Sequence, residues 1–244
     1  MRAVVTCITL GLAIVSWSAA GADGIIYTLP DDRAWATFDA EITTEKTDGS
    51  KRRMTGRMRI ASVGTQMVDG QPCRWLEFDA TWELNATVEA TSVIKLLIPE
   101  AHLGQGKTPY RHIERGWIQV GSDEPQPTTK NRAGELEIFL VGPPVEERPL
   151  DPVTLEINSA SLECDGLEGT TEIKIPARVT TLLDMVLPPP LRRLSYSFVT
   201  RLHESVPFGV VSHELSPIDT AEGDFKMVLT LVESDAESRL PEYN

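Results

Sequence analysis

The chain has 244 residues, with 23 basic against 36 acidic side chains and a formal net charge of −13. That acidity repels phosphate backbones and anionic membrane surfaces, which argues against nucleic acid as a partner. The length suits one generous β domain or two small ones.

Met1-Arg2 is followed by an apolar run from Ala3 to Ala20 and then Gly21-Ala22-Asp23. One positive charge, a greasy stretch and a small-residue exit form the layout of a secretory signal peptide. Cleavage fits after Ala20, behind Ser18-Ala19-Ala20, or after Ala22, behind Ala20-Gly21-Ala22. An uncleaved anchor is the other reading, but the run is marginal for spanning a bilayer core. Cys7 has too little apolar chain before it to be a lipoprotein cysteine. Residues 1–22 are therefore read as signal peptide and 23–244 as one domain, periplasmic or secreted. No second apolar run long enough for a transmembrane segment follows. Removing Arg2 takes the basic residues from 23 to 22 against 36 acidic ones, a net −14.

Strand signals then dominate. Trp35 to Thr44 and Met54 to Val63 read as two strands joined by the polar turn Thr47-Asp48-Gly49-Ser50-Lys51. In Arg74 to Leu84 the apolar Leu76, Phe78, Ala80, Trp82 and Leu84 alternate with Trp75, Glu77, Asp79, Thr81 and Glu83. Period two places one face on a core and the other mostly in water. Trp75 falls on the second face, so something covers it: a short helix of the chain itself, a second sheet or a ligand. Asn85-Ala86-Thr87 is a glycosylation sequon, relevant only in a host that glycosylates.

Further strands are expected at Val93 to Ile98, Leu136 to Val141, Val153 to Leu162, Thr170 to Ile175, Leu194 to Leu202, Val210 to Leu215 and Phe225 to Val232. That gives nine or ten in all. Helix signals are few and short: Pro99 to Leu103, Pro109 to Trp117 with Thr108 as N-cap, and Thr180 to Leu187 before Pro188-Pro189-Pro190. No helix is long enough to cross over repeatedly between parallel strands, so the sheet is expected to be antiparallel. Polar or proline-rich links at Gly121 to Gly134, Gly142 to Pro152 and Pro188 to Pro190 are too weak to divide the domain.

Candidate chemistry is sparse. Ala101-His102-Leu103-Gly104-Gln105-Gly106-Lys107-Thr108 fits a relaxed phosphate-loop pattern. Pro109 follows at once, however, and no magnesium-binding strand is recognisable, so a surface loop is the simpler reading. His203-Glu204 and His213-Glu214 flank Val206-Pro207-Phe208-Gly209. With Pro207 and Phe208 as the tip, His203 faces Ser212 and His213 faces Leu202, on opposite sides of the sheet. His102 and His112 lie ten apart around a loop. No metal-binding spacing or nucleophile elbow is present, and Asp31-Asp32 reads as part of the Pro30 turn. No catalytic residue, metal ligand or cofactor is assigned, and the chain is expected not to be an enzyme. Cys73, beside the turn Asp69-Gly70-Gln71-Pro72, and Cys164, before Asp165-Gly166, are read as one disulfide in an oxidising compartment or as two buried thiols. A bridge over that loop would contribute roughly 4–5 kcal/mol.

A signal peptide, an early Trp35-containing strand, Cys73-Arg74-Trp75-Leu76-Glu77 after the Val68-Asp69-Gly70 turn, and the late strand opened by Val206-Pro207-Phe208-Gly209-Val210-Val211 together resemble exported bacterial proteins of the LolA/LppX type. The usual long N-terminal helix is absent. The resemblance implies a half-barrel: a curved antiparallel sheet with a few short helices packed on one side, and a cavity between for acyl chains. It transfers no functional residue. The expected function is binding of a lipid or other hydrophobic ligand without catalysis. An envelope scaffold with a protein partner, or a hydrolase whose acids are not located, are the alternatives.

Overall fold

The computed structural model describes residues 24–45, 51–84, 87–127, 144–173, 194–218 and 225–235. The strands are β1 (Trp35–Glu45), β2 (Lys51–Val68), β3 (Gln71–Leu84), β4 (Thr87–Pro99), β5 (Arg115–Val120), β6 (Gln126–Pro127), β7 (Glu146–Ile157), β8 (Ala160–Ile173), β9 (Leu194–Leu202), β10 (Val210–Pro217) and β11 (Phe225–Asp235). They form one antiparallel sheet in the order β6-β5-β4-β3-β2-β1-β11-β10-β9-β8-β7. The terminal strands β1 and β11 pair in its centre. The edges β6 and β7 do not meet, so the sheet is curved but open.

Alternation built the apolar face. Ala36, Phe38, Ala40 and Ile42 of β1, Leu76, Phe78, Ala80 and Trp82 of β3, and Met227, Leu229 and Leu231 of β11 are all buried in one cluster. Val211 and Leu215 of β10 join them. Residues two apart along a strand share a face, and burying that many apolar side chains on one face makes it the concave side. Close approach is needed at several glycines, Gly56 of β2 and Gly166 and Gly169 of β8. A Cβ on Gly56 would lie 2.5 Å from the Thr81 carbonyl oxygen and 2.7 Å from the Trp82 ring, so the absent side chain lets the indole lie on β2.

One end of the concave face is stoppered by non-strand chain. Ile25 and Ile26, in the segment before β1, are fully buried. The Tyr27 and Thr28 amides both donate to the Phe208 carbonyl, at 2.8 and 3.1 Å. Phe208 holds a left-handed backbone (φ 66°) with its ring fully buried; a bulky residue there is a strained conformation maintained by its surroundings. Leu103 and Ile113, between β4 and β5, are buried in the same cluster. From the other edge, the β7–β8 hairpin folds over, and the Asn158 side-chain amide donates to the Val232 carbonyl of β11.

Several expectations need correction. Of the short helices expected on one side, the turn at Pro99 to Leu103 is present as the 3-10 turn Glu100–His102; the other helical pieces among the described residues are the 3-10 turns Pro109–His112 and Pro207–Gly209, and none is longer than four residues. Thr108 makes no capping hydrogen bond with its side chain, and the pattern read as helix to Trp117 is strand from Arg115. Val153 to Leu162 is a hairpin rather than one strand, because Asn158 and Ser159 take positive φ (48° and 69°) and reverse the chain; this is the two-residue turn whose handedness suits twisted strands. Leu136 to Val141, Thr180 to Leu187 and the sequon residues Asn85 and Ala86 lie outside the described residues.

The expected Cys73–Cys164 bridge is not formed. Both cysteines are free and buried. Five strands separate β3 from β8 in the sheet, and each thiol donates instead to a carbonyl two residues earlier in its own strand, Gln71 and Leu162. Cys164 is inside β8 and not at a strand end, since Asp165-Gly166 continues the ladder opposite Leu202 and Arg201.

Candidate functional site

The polar groups inside the concave wall are the first candidates. On β9, Tyr196, Phe198, Thr200 and Leu202 share the inner face, and all four are buried. Thr200 lies opposite His213 of β10, and His213 lies opposite Leu229 of β11. The Thr200 Oγ1 and His213 Nδ1 atoms are 2.8 Å apart and hydrogen-bonded. His213 Nε2, in contrast, is buried without a partner. The Phe198 ring stacks at 6.3 Å from the imidazole. Burial removes the water that would solvate an imidazolium, so the His213 pKa falls from 6.5 to about 4 and the ring is neutral at pH 7. Thr171 of β8 is buried opposite Tyr196, whose phenol burial pushes up.

These side chains were reachable only in part from the sequence. His213 was singled out, but with a register in which it faces Leu202. In the structure the turn is wider: Pro207–Gly209 forms a 3-10 turn and a shift between Val210 and Ser212 resets the ladder, so His213 faces Thr200. His203 is outside the strands, and its Nδ1 is hydrogen-bonded to Ser205 Oγ at 2.7 Å. The two histidines share no site.

The relaxed phosphate-loop stretch lies in the stopper. An antiparallel strand precedes it and a four-residue 3-10 turn follows, so no helix N-terminus faces Gly104 to Thr108. Its visible work is packing: Leu103 is buried, and the Gln105 side chain hydrogen-bonds Tyr27. His102 and His112 stack at 3.4 Å, nearly parallel. Nearby, Arg74 of β3 is buried and donates from Nε and Nη2 to Glu100 Oε1, at 3.0 and 2.7 Å, and from Nη1 to Ser62 Oγ at 3.1 Å.

The outer face carries two further features. Trp75 of β3 packs on Trp117 of β5 at 5.2 Å between ring centroids, and Lys95 of β4 stands over Trp75 at 5.6 Å. The indole of Trp75 donates to Gln66 Oε1 at 3.3 Å. Trp117 remains 40% exposed. The second-face tryptophan is thus covered by a tryptophan from β5, two strands away in the sheet. Across β11, β1, β2 and β3 the outer face forms a groove of about 770 Å³ lined by Asp39, Glu41, Arg53, Arg57, Thr81 and Thr230 among others. Four of its charges form ion pairs, Arg53 with Glu41 at 2.6 Å and Arg57 with Asp39 at 3.3 Å, and Glu83 lines it as well.

Among the described residues, no group of three or more His, Cys, Asp or Glu side chains could hold a metal ion, and no helix is long and apolar enough to cross a membrane. Asp31 and Asp32 are exposed in the turn before β1.

No family model matches the sequence, and neither does any curated protein. Solved structures that it resembles in outline include a Bacteroides fragilis protein with a YmcC-like fold, at 6% identity and a TM-score of 0.35, covering 88% of this chain and 100% of that one. A β-barrel-like protein of the domain of unknown function DUF1849 from Brucella abortus matches at 10% identity and TM-score 0.27, over 85% of this chain and 99% of that one. A DUF1329 family protein from Desulfovibrio piger matches at 11% and 0.31, over 88% of each chain. At these scores the likenesses carry no argument, and the functional reading rests on the geometry of this chain.

Proposed function

We propose that this is an exported, non-catalytic protein that holds a lipid or other hydrophobic ligand against the concave face of its half-barrel. The observation that carries the reading is the asymmetry of the sheet. One face is apolar from β3 through β11 to β9 and is stoppered at one end, while the sheet edges do not close. An apolar interior with a few polar groups, beneath a sheet whose edges do not meet, is a place for an apolar ligand to enter between the sheet edges. Export rests on the charged, apolar and small-residue order of residues 1–22. The LolA/LppX-type resemblance of the sequence points the same way. The experiment is solvent extraction of the chain purified from an envelope or secreted fraction, followed by mass spectrometry. A copurifying amphiphile near one per chain supports the reading; a bare protein that also fails to take up added lipid refutes it.

The exposed Trp75–Trp117 pair favours a second reading, an envelope interaction module. Partly exposed tryptophans, with an apolar body and a polar edge, are enriched at protein interfaces. A photo-crosslinker at Gln119, beside Trp117 on β5, tests it. A discrete envelope-protein adduct that disappears in Trp117→Ala supports this reading, and no adduct rejects it.

A further inference from the structure

We propose that the far part of the β7–β8 hairpin, Val153 to Cys164, is a lid: it opens as a unit from the rest of the sheet and uncovers one end of the apolar interior, and the Asn158 side chain on the Val232 carbonyl is its latch. The inference rests on the carrier reading and states how an apolar ligand reaches an interior that is closed on itself. Phe198, Leu215 and Leu229 of the inner wall are each exposed by 2% or less, so admission requires a moving part.

Pairing sets this part of the hairpin apart. β8 pairs with β9 from Asp165, opposite Leu202, to Ile173, opposite Leu194. From Ala160 to Cys164 its ladder partner among the described residues is β7, and β7 is the edge of the sheet. Val153 to Cys164 is therefore a two-stranded ribbon that overhangs the sheet. A two-stranded hairpin is marginal in water by itself, so the order of this one depends on what it rests against. It rests on the core with its other face. Leu167, Gly169 and Thr171 of β8 lie opposite the inner-face residues Thr200, Phe198 and Tyr196. Beyond Asp165 the side chains that meet the core are Cys164 and Leu162, with Leu155 and Ile157 across from them on β7. The inward positions of β8 have switched from odd to even, as at a corner where a strand passes from one layer to another. The means of turning lie at the junction. The β7–β8 ladder shifts between Leu150 and Val153, and such a bulge bends its strand. Gly166 stands opposite Leu150, where a Cβ would strike the Arg201 guanidinium and come within 2.8 Å of the Leu150 Cβ.

The ribbon is fastened at its base and lightly held at its tip. At the base, Arg201 of β9 reaches across Gly166 and donates from Nη1 to the Asp151 carbonyl at 2.9 Å. At the tip, Asn158 belongs to a strand four places from β11 in the sheet, roughly 19 Å at the usual strand spacing. Its side-chain amide nevertheless donates to the Val232 carbonyl of β11, so the ribbon bends back across the end of the sheet to reach it. Val232 is the extra residue of a β11 bulge, since Thr37 faces Glu233 and Phe38 faces Leu231, and a bulged residue is left over by its ladder. Between base and tip the contacts are apolar and partial. Leu155, Ile157 and Leu162 are partly buried, in contrast to the fully buried wall they lie against. Segments with few buried apolar contacts open at a lower free energy than the core. The tight turn at Asn158-Ser159 keeps the two strands together, so the ribbon moves as one piece.

Hydrogen exchange of the mature chain measures the opening without any ligand. Among β8 amides bonded to β7, those from Ser161 to Glu163 should exchange about tenfold faster than those from Glu168 to Glu172, which lie between two strands. Two variants remove the latch at this exposed position. Asn158→Gly keeps the left-handed turn without a donor, and Asn158→Asp keeps the size but turns a carboxylate toward the Val232 carbonyl. Both should speed exchange in the ribbon about fivefold more, the value of one hydrogen bond, and leave β1 to β3 as in wild type. Uptake of N-phenyl-1-naphthylamine, an apolar dye that brightens on burial, should quicken by the same factor. If the ribbon exchanges no faster than Glu168 to Glu172, or if both variants exchange as wild type does, there is no latched lid; the inference is overturned, and the carrier reading is judged by dye uptake alone. If exchange quickens while the dye enters all three proteins at one rate, the ligand has another entrance; the inference is again overturned and the carrier reading stands. If exchange quickens and the dye enters none of them, the carrier reading falls and the lid guards nothing.

Discussion

At the scale of the residue, the most consequential atoms are buried polar ones. His213 has its pKa lowered from 6.5 to about 4 by burial. The unfolded chain therefore binds this proton more readily than the folded one, so stability is fully present above pH 6.5 and is lost as pH falls through 6.5 towards 4. The loss from this one group is roughly 3 kcal/mol. Urea unfolding of wild type between pH 7 and 4 should show that decline, and His213→Leu should flatten it; parallel curves for the two proteins would count against a buried neutral ring. Arg74 makes the complementary case. Its guanidinium is paired with Glu100 and Ser62 with a side-chain exposure of only 10%. Removing the carboxylate leaves a buried cation without compensation. Glu100→Gln should lower the unfolding free energy by about 2 kcal/mol, less than for a wholly buried pair because Glu100 is 24% exposed. An unchanged urea midpoint would show that the pair adds nothing.

At the scale of the element, alternation was legible, and so were reversals marked by glycine, as at Asp69-Gly70 between β2 and β3. Leu76, Phe78, Ala80 and Trp82 repeat every second residue, and β3 formed where they predict, on the face they predict. The β1–β2 pairing, from Trp35 opposite Ala61 to Glu45 opposite Lys51, likewise follows from two patterned runs around one polar link. The β7–β8 hairpin was missed because Asn158-Ser159 lacks the glycine that normally marks such a turn; the switch of apolar positions from odd (Val153, Leu155, Ile157) to even (Ala160, Leu162, Cys164) was the signal that could have found it. Trp117 was assigned to a helix because Thr108-Pro109 is a helix-start signal. The signal produced only one 3-10 turn before pairing with β4 claimed the chain. The stopper was not legible at all, since it depends on Tyr27 and Thr28 meeting Phe208 across most of the sequence. Phe208→Ala should cost about 3–5 kcal/mol by emptying a fully buried ring site, detectable by urea unfolding. Trp117→Ala, with 40% of that residue already in water, should cost about 1 kcal/mol. Equal losses for the two would contradict the assignment of Phe208 to the core and Trp117 to the surface.

At the scale of the whole molecule, the sheet is held by contacts between its two halves. Tyr27 is the hub. It bonds to the loop after β4 through Gln105 and lies near Glu147 of β7 and Asp165 of β8; burial, with those two carboxylates, raises its pKa. The cysteines do not supply a cross-link. Cys73 and Cys164 have thiol pKa values pushed up chiefly by burial, so in a chain starting at Asp23, which lacks Cys7, both should resist a thiol reagent in the native protein and react as two equivalents on unfolding. Fewer than two in the unfolded chain would mean a bridge forms after all. The fold class and the one-sided core were open to inspection in the sequence because they follow from period two. The candidate site was not, because the orphaned Nε2 of His213 is a product of the register set by a wide turn.

The most direct test of the account is native mass spectrometry of the mature chain isolated from an exported fraction without detergent. The account predicts a species heavier than the polypeptide by one apolar molecule, released when the protein is unfolded. A spectrum showing only the bare polypeptide, unchanged after incubation with 1-decanol, would contradict it.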